Sequence, residues 1–498
     1  MKILSAGVSR VFRQGPFQIR PMRFVWTLLG ISLSAVRVCG SDLLVVSDGS
    51  NSTPQRAPFK LLRYDEDYRF LADPALRTDL LDPIKYIPIS RSGNNFLSLG
   101  GEIRERYEFF HNEDAGGQPS DAQGNNGYLL QRILIHGDLH LGPHFRVFGQ
   151  FVSSLEEGRI GGPRPQIDEN LFDLHQGFLD VMLPLNDQDS LTIRLGRQEL
   201  RYGGGRLVDL RAVPNVPRSF DAARILLQTG HWFVDGFVSK PVRSQLYAFD
   251  DDPDPERSLW GIYAVGPLTP LPDGHVDLYY FGFENKNALF DQGVGHELRH
   301  SLGTRLWGQP LPWEYDAEFV WQFGQFRSGD IQAWAIASAT YYHLGALPLR
   351  PRVGLRLGAG SGDHDPNSTK LQTFNPMFPT AAYYNLQDPA GPQNLIDVHP
   401  VLDLNFGRRV TLTADWGFFW RTSLDDGVYR ISGVPLRTGQ NSNERFVGSS
   451  PALTAVWTLN QHISFLAGYC HFFAGPFLKE TPPGKDIDYV TTWITFKF

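Results

Sequence analysis

A chain of 498 residues with 13% aromatics and 50 glycines can hold several domains or one large β architecture. Its formal net charge of −7 provides no broad basic face, which argues against general nucleic-acid binding. The two cysteines, Cys39 and Cys470, cannot build a cysteine zinc site, and loss of Cys39 with a leader would leave no disulfide partner.

Residues 1–40 hold six basic residues, no acid and the apolar run Phe24–Val36. That pattern predicts a signal peptide cleaved near Gly40, which would make the mature chain six charges more acidic. An apolar run this short is a poor membrane span, and no later segment is long enough for a transmembrane helix. Residues 41–95 are polar and proline-rich with one short helical turn. They are expected to form a periplasmic extension or a plug.

From Phe96 to the end the hydrophobic period is two. In 96–109, Glu102, Arg104, Arg106 and Glu108 alternate with Ile103, Tyr107 and Phe109. In 128–141, Arg132, His136, Asp138 and His140 oppose Ile133, Ile135, Leu139 and Leu141. Residues 313–324 set Glu314, Asp316, Glu318 and Gln322 against Tyr315, Phe319, Trp321 and Phe323. Residues 410–421 set Thr411, Thr413, Asp415 and Arg421 against Leu412, Trp416, Phe418 and Trp420. Each strand therefore has a charged face and an apolar face.

A sandwich core could not bury several unpaired charges per strand. A charge at mid-bilayer costs roughly 2–4 kcal/mol, so the charged faces should line a watery lumen while the apolar faces meet lipid. Eighteen such segments fit between 96 and 498, with sixteen as the alternative. Short connections (142–144, 308–312) alternate with long polar ones (110–127, 360–394, 422–445). Barrels of this size leave an aqueous channel. The predicted fold is all-β, a single antiparallel transmembrane β-barrel over 96–498.

The stretch Leu191–Leu227 reads as strand, glycine hinge, arginine-rich loop and strand. It contains Arg194, Arg197, Arg201, Arg206, Arg211, Arg218 and Arg224 around Gly203, Gly204 and Gly205. Parity favours Arg194 for the lumen. Arg197 falls on the other face and needs a bulge or a covering loop.

With this stretch placed among alternating strands, the chain resembles the alginate-export family of outer-membrane barrels. The resemblance rests on GGEIRERYE (100–108), GRQELRYGGGRLVDLR (196–211), NVPRSFDAAR (215–224), FDD (249–251), ELRHSLGTRLWG (297–308), GDIQAWA (329–335) and GAGSGD (358–363). It implies an 18-stranded barrel whose arginine-lined, electropositive constriction passes polyuronate outward. Phe498 resembles the terminal aromatic used by the outer-membrane assembly machinery.

A uronate polymer carries a carboxylate on every sugar, and the arginine fork matches a carboxylate. Arginine rings are an expected selectivity device in anion pores. By parity Arg104, Arg106, Arg132, Arg194, Arg299, Arg305, Arg352 and Arg356 should face inward. Arg197, Arg201, Arg206, Arg218 and Arg224 lie in or beside the arginine loop. Asp138, Asp221, Glu318 and Asp415, with Glu102 and Glu108, are the expected partners, and half of the arginines are expected to do no more than pair with such acids.

The expected function is an anion-selective outer-membrane channel for an anionic, alginate-like polysaccharide. The alternative is a general or uptake porin for small anions or sugars. The expected partners are outer-membrane lipid, the polysaccharide, a periplasmic scaffold, an inner-membrane synthase and the assembly machinery, with no nucleic acid. Ser301 beside His300 is the nearest hint of catalysis, but adjacent strand residues face opposite ways, so no enzyme is expected. Asp363, Asp365 and Asn367 open a calcium-like loop, yet Ser368 and Phe374 occupy the positions that need Gly and Glu. The run Asp250, Asp251, Asp252 and Asp254 reads as a solvated loop. No metal or cofactor is expected.

Overall fold

The structure, a computed structural model, describes residues 59–90, 93–365 and 367–498. The expected leader, 1–40, lies outside the described residues. Eighteen antiparallel strands follow one another: β1 (Asn95–His111), β2 (Asn125–Leu141), β3 (Phe145–Glu157), β4 (Asn170–Pro184), β5 (Ser190–Gln198) and β6 (Phe220–Thr229). Next come β7 (Trp232–Arg243), β8 (Arg257–Pro267), β9 (His275–Phe290), β10 (Gly293–Gly308), β11 (Trp313–Phe326) and β12 (Gly329–His343). The last six are β13 (Arg352–Gly360), β14 (Leu395–Phe406), β15 (Val410–Arg421), β16 (Phe446–Thr458), β17 (Ile463–Ala474) and β18 (Ile487–Lys497). Each pairs with its sequence neighbours, and β18 returns to β1 with Ile103 opposite Phe496. Closure satisfies the backbone without a free edge, which a lipid environment requires.

The period of two decides which side chains meet lipid. On β11, Phe319 and Trp321 are 46% exposed, while Glu318 and Gln322 are buried. Ile103, Leu129, Ile135, Leu195, Val238, Ile262, Trp416 and Leu453 extend the same outward band. An apolar surface this large belongs in hydrocarbon. The alternation understates strand length at the long-loop rim, where β1 runs to His111, β2 begins at Asn125 and β9 reaches Phe290. Above the lipid the backbone ladder continues, but nothing requires an apolar outer face there.

Two long connections fold into the barrel instead of standing in solvent. These are 199–219, between β5 and β6, and 361–394, between β13 and β14. They join each other through Thr380 N to Gly205 O, Phe378 N to Leu207 O and Asp209 N to Phe378 O, each 2.9 Å. Leu200, Tyr202, Leu207, Val208, Phe374 and Phe378 bury together at this junction. The expectation of a merely polar loop at 360–394 is thus corrected. Leu371, Phe374, Phe378 and Tyr384 are scattered through it without a period, and burying them is what draws it inward.

Residues 59–90 form short 3-10 turns and one helical turn at the end of the barrel that bears the short connections. Arg63 donates to Gly101 O (3.0 Å) and Phe498 O (2.9 Å), and His462 pairs with Asp79 at 3.0 Å. Tyr64 packs edge-on against Phe178 and donates to Glu199 O at 2.9 Å. This segment therefore touches the base of the arginine loop.

Candidate functional site

A cavity of about 710 Å³ lies between the strand walls, the two in-folded loops and residues 59–65. Its construction begins with β5 and β6, where Arg194 and Arg224 stand directly opposite each other. Two guanidiniums in register would repel, and each is held by its own acid on the adjoining strand. Arg194 forms a fork with Asp180 at 2.7 and 2.8 Å, and Arg224 reaches Asp235 at 2.6 Å. The Arg194 guanidinium lies against both the Tyr64 and the Phe178 ring, at 4.4 and 4.1 Å.

Above this pair the chain turns inward. Gly205 has a φ of +74°, and a Cβ there would meet the Asp209 carboxylate, so only glycine makes the turn without strain. The turn delivers Arg201 to Asp209 at 3.4 Å. It also carries Arg206 across the lumen to Asp316 (3.0 Å) and Glu318 (2.7 Å) on β11. Tyr279 completes Glu318 at 2.6 Å. On the far wall Arg305 pairs with Asp316 (2.6 Å) and Asp277 (3.1 Å). Arg352 bridges Glu314 and Asp403, each at 2.7 Å, and lies 4.0 Å over the Tyr341 ring. Arg356 pairs with Asp415, which also meets His399 at 3.2 Å, and donates to Tyr384 O at 2.6 Å.

The structure sorts the arginines expected in the pore into three groups. Arg194, Arg201, Arg206, Arg224, Arg305, Arg352 and Arg356 line the cavity, as do Glu318 and Asp415. Arg104, Arg106, Arg132, Arg218 and Arg299 point inward but do not line it, because loop backbone covers them. Arg104 and Arg132 donate to Ala212 O and Pro214 O, and Arg106 donates to Val213 O. Arg218 binds Asp209 O and Pro379 O, which ties the two in-folded loops, and Arg299 reaches Thr373 O. A loop crossing a lumen has carbonyls that have lost water, and arginine offers several donors in one plane.

Arg197 leaves the inner face altogether. It lies directly opposite Asp221 on the outward side, bonded at 2.9 Å, and is capped by Leu174 O of β4 and by Asp251 O from a covering loop. Asp221 goes with it. Asp138 points inward but is claimed by Arg146 at 2.7 Å, beneath residue 64. These eight expectations of pore-lining position are therefore corrected.

Glu314 and Asp316, on the charged face expected for β11, line the cavity, and so do Asp235, Asp277, Asp397 and Asp403, which parity reasoning missed. The signal was present, since each occupies an inward position of its strand. The result is a mixed lining. Seven arginines and Lys497 face ten carboxylates, one of them Asp65 from the segment before the barrel. Every cavity arginine stands in at least one ion pair. In the loop, burial pushes the Asp388 carboxyl up to about 6 although the Tyr383 and Tyr384 amides donate to it. Burial likewise pushes Asp426 up to about 6.

The family model described as alginate export matches residues 95–491. No curated protein matches the sequence. Among solved structures, a BenF-like porin from Pseudomonas fluorescens Pf-5 matches with a TM-score of 0.55 at 11% identity, covering 81% of this chain and 98% of that one. Acinetobacter baumannii OccAB3 matches with a TM-score of 0.55 at 11% identity, over 80% of this chain and 99% of its own. The outer membrane protein opdK from Pseudomonas aeruginosa matches with a TM-score of 0.53 at 8% identity, over 80% and 98%. At such identities these structures speak for the fold. Fold and family together place the chain in the bacterial outer membrane.

Proposed function

Because the chain belongs to the alginate-export family, whose members are outer-membrane channels, we propose that it passes an anionic polysaccharide, with an alginate-like polyuronate as cargo. The observation that supports this reading is the set of cavity arginines that share each guanidinium with a wall carboxylate. A uronate carboxylate entering the cavity competes with that acid for the same fork. Exchange between wall acid and cargo gives binding at many sites and strong binding at none, as conduction demands. The excess of carboxylates limits dwell time, and Tyr341 and Trp307 hold the Arg352 and Arg305 planes toward the lumen. Residues 59–86 would act as a plug at the short-turn mouth, and a periplasmic scaffold with an inner-membrane synthase would supply the chain.

Planar-bilayer recording tests the reading. Uronate oligomers are expected to block single-channel current, neutral oligomers of equal length are not, and Arg352→Gln should shorten the blocked time. Equal block by both oligomers would transfer the case to a general or uptake porin for small anions or sugars.

A further inference from the structure

The connection between β7 and β8 plays no part in the cavity. Residues 244–251 lie back against the outside of the barrel, fixed by Leu171 N to Leu246 O and Phe249 N to Phe172 O, each 3.0 Å. The rings of Phe151, Phe172 and Phe249 cluster on that outer surface at centroid distances of 5.3 and 5.4 Å. We infer that Asp173, Asp250 and Asp251, together with the Asn170 carboxamide, form a calcium-class cation site that pins this loop to the barrel wall.

One carboxylate oxygen from each of the three aspartates lies within 4.8 Å of the others. A single ion with oxygens roughly 2.4 Å away, as calcium has, can therefore reach all three. Donors supplied by the protein itself suit calcium, since magnesium gives up its water reluctantly and seldom sits in an all-protein cage. The donors are all oxygen, with no histidine or cysteine among them, which suits a hard cation.

The hydrogen bonds already present leave this charge largely uncompensated. Asp173 accepts from Leu174 N (2.6 Å) and Asp251 N (3.1 Å), Asp251 from Gln245 N (2.7 Å), and Asp250 from Tyr247 N (3.0 Å). Arg197 is the cation at hand, 3.8 Å from Asp173, but its fork is engaged by Asp221 at 2.9 and 3.2 Å. Its other hydrogen bonds go to the Leu174 and Asp251 carbonyls.

The independent sign of a ligand is a pair of oxygens without donors. Among the described residues, Asn170 Oδ1 and Asp250 Oδ1 are buried and accept no hydrogen bond. Asn170 is fully buried, and its amide nitrogen meets Asp251 Oδ2 at 2.9 Å, so the carboxamide is aimed at the cluster. Asn170 and Asp173 open β4 while Asp250 and Asp251 come from a loop three strands later, so no spacing in the sequence announces the site.

The test is calcium titration by calorimetry on the full-length barrel, purified in detergent after chelator treatment. The expected result is about one calcium per chain, weaker heat from magnesium, and slower protease cleavage within 244–256 when calcium is present. Asp250→Asn combined with Asp251→Asn should weaken binding by roughly tenfold or more. Asn170→Ala should also weaken it, with the barrel still migrating as a folded species in unheated gels. Asp173→Asn is the sharper substitution, and the loop variants decide the matter if that protein does not fold. No calcium binding by a folded barrel, or unchanged binding in the double variant, would overturn the proposal.

Discussion

Two walls of this barrel carry arginines at equivalent inward positions and use them differently. On β1 and β2, Arg104, Arg106 and Arg132 are buried against the carbonyls of residues 212–214. On β10 and β13, Arg305 and Arg352 face the cavity beside Asp316 and Asp403. Residue type and parity are the same, and the difference lies in what arrives opposite. Where the 199–219 loop crosses the lumen, its carbonyls take the guanidiniums and the wall becomes an anchor. Where no backbone arrives, the guanidinium stays at a wet wall with an acid. An inward arginine is thus available to a passing anion only where no loop claims it.

The widest separation between the two walls is expected from Arg132→Ala. It strips Glu102 of its 2.6 Å partner and leaves the Ala212 and Pro214 carbonyls to Arg104 alone. Breaking a buried pair from one side costs about 3–5 kcal/mol. A fall of that size in the denaturation midpoint, with larger conductance as the loop comes away, would confirm the anchoring role. A stable variant with normal conductance would break the comparison.

Asn215→Ala acts on the same wall from the loop side. The Asn215 amide donates toward Gln131 O, Leu155 O and Asp168 O at 2.9–3.1 Å. Loss of those donors should cost about 1–3 kcal/mol and loosen the loop to protease. Arg352→Gln, on the other wall, should change stability by no more than about 1 kcal/mol, because the pair is partly solvated. Its effect belongs in selectivity. One unit charge at 4 Å in water is worth about 1 kcal/mol, or roughly a fivefold change in local anion concentration. Reversal potentials across a salt gradient should move toward cations for Arg352→Gln and stay put for Asn215→Ala.

The smallest effect expected is on pH. Burial raises Asp388 and Asp426, in the connections 361–394 and 422–445, to about 6. Their neutral form is favoured in the folded state. The stability they contribute is complete below about 4, the ordinary carboxylate value, and is lost as the pH rises through about 6. Proteolysis of 361–394 should therefore slow as the pH falls from 7 to 5, and Asp388→Asn should flatten that dependence.

Much of this was readable from residues alone. Alternation from Phe96 onward is enough for eighteen strands, because lipid outside and water inside force a period of two that no helix shares. The same alternation puts Arg194 inside and leaves Arg197 to a bulge or a covering loop. It is blind to the fate of an inward side chain, since a guanidinium bonded to a distant carbonyl and one bonded to a neighbouring acid leave the same mark in a strand. The mixed lining is also legible in part, because Glu314 and Asp316 stand on the charged face of β11 and Asp235 and Asp277 hold inward positions on their own strands.

Residues alone are enough for the barrel, for the two faces of its strands and for a strand number of eighteen or sixteen, since these follow from local periodicity and the solvent on each side. Only the tertiary structure decided which arginines remain at the cavity. That outcome depends on where 199–219 and 361–394 meet and which carbonyls they bring. Both loops are drawn inward by scattered apolar residues such as Leu207 and Phe378, whose burial has no period to read. The approach of Asp250 and Asp251 to Asp173 has the same origin, a contact between segments that the chain keeps far apart.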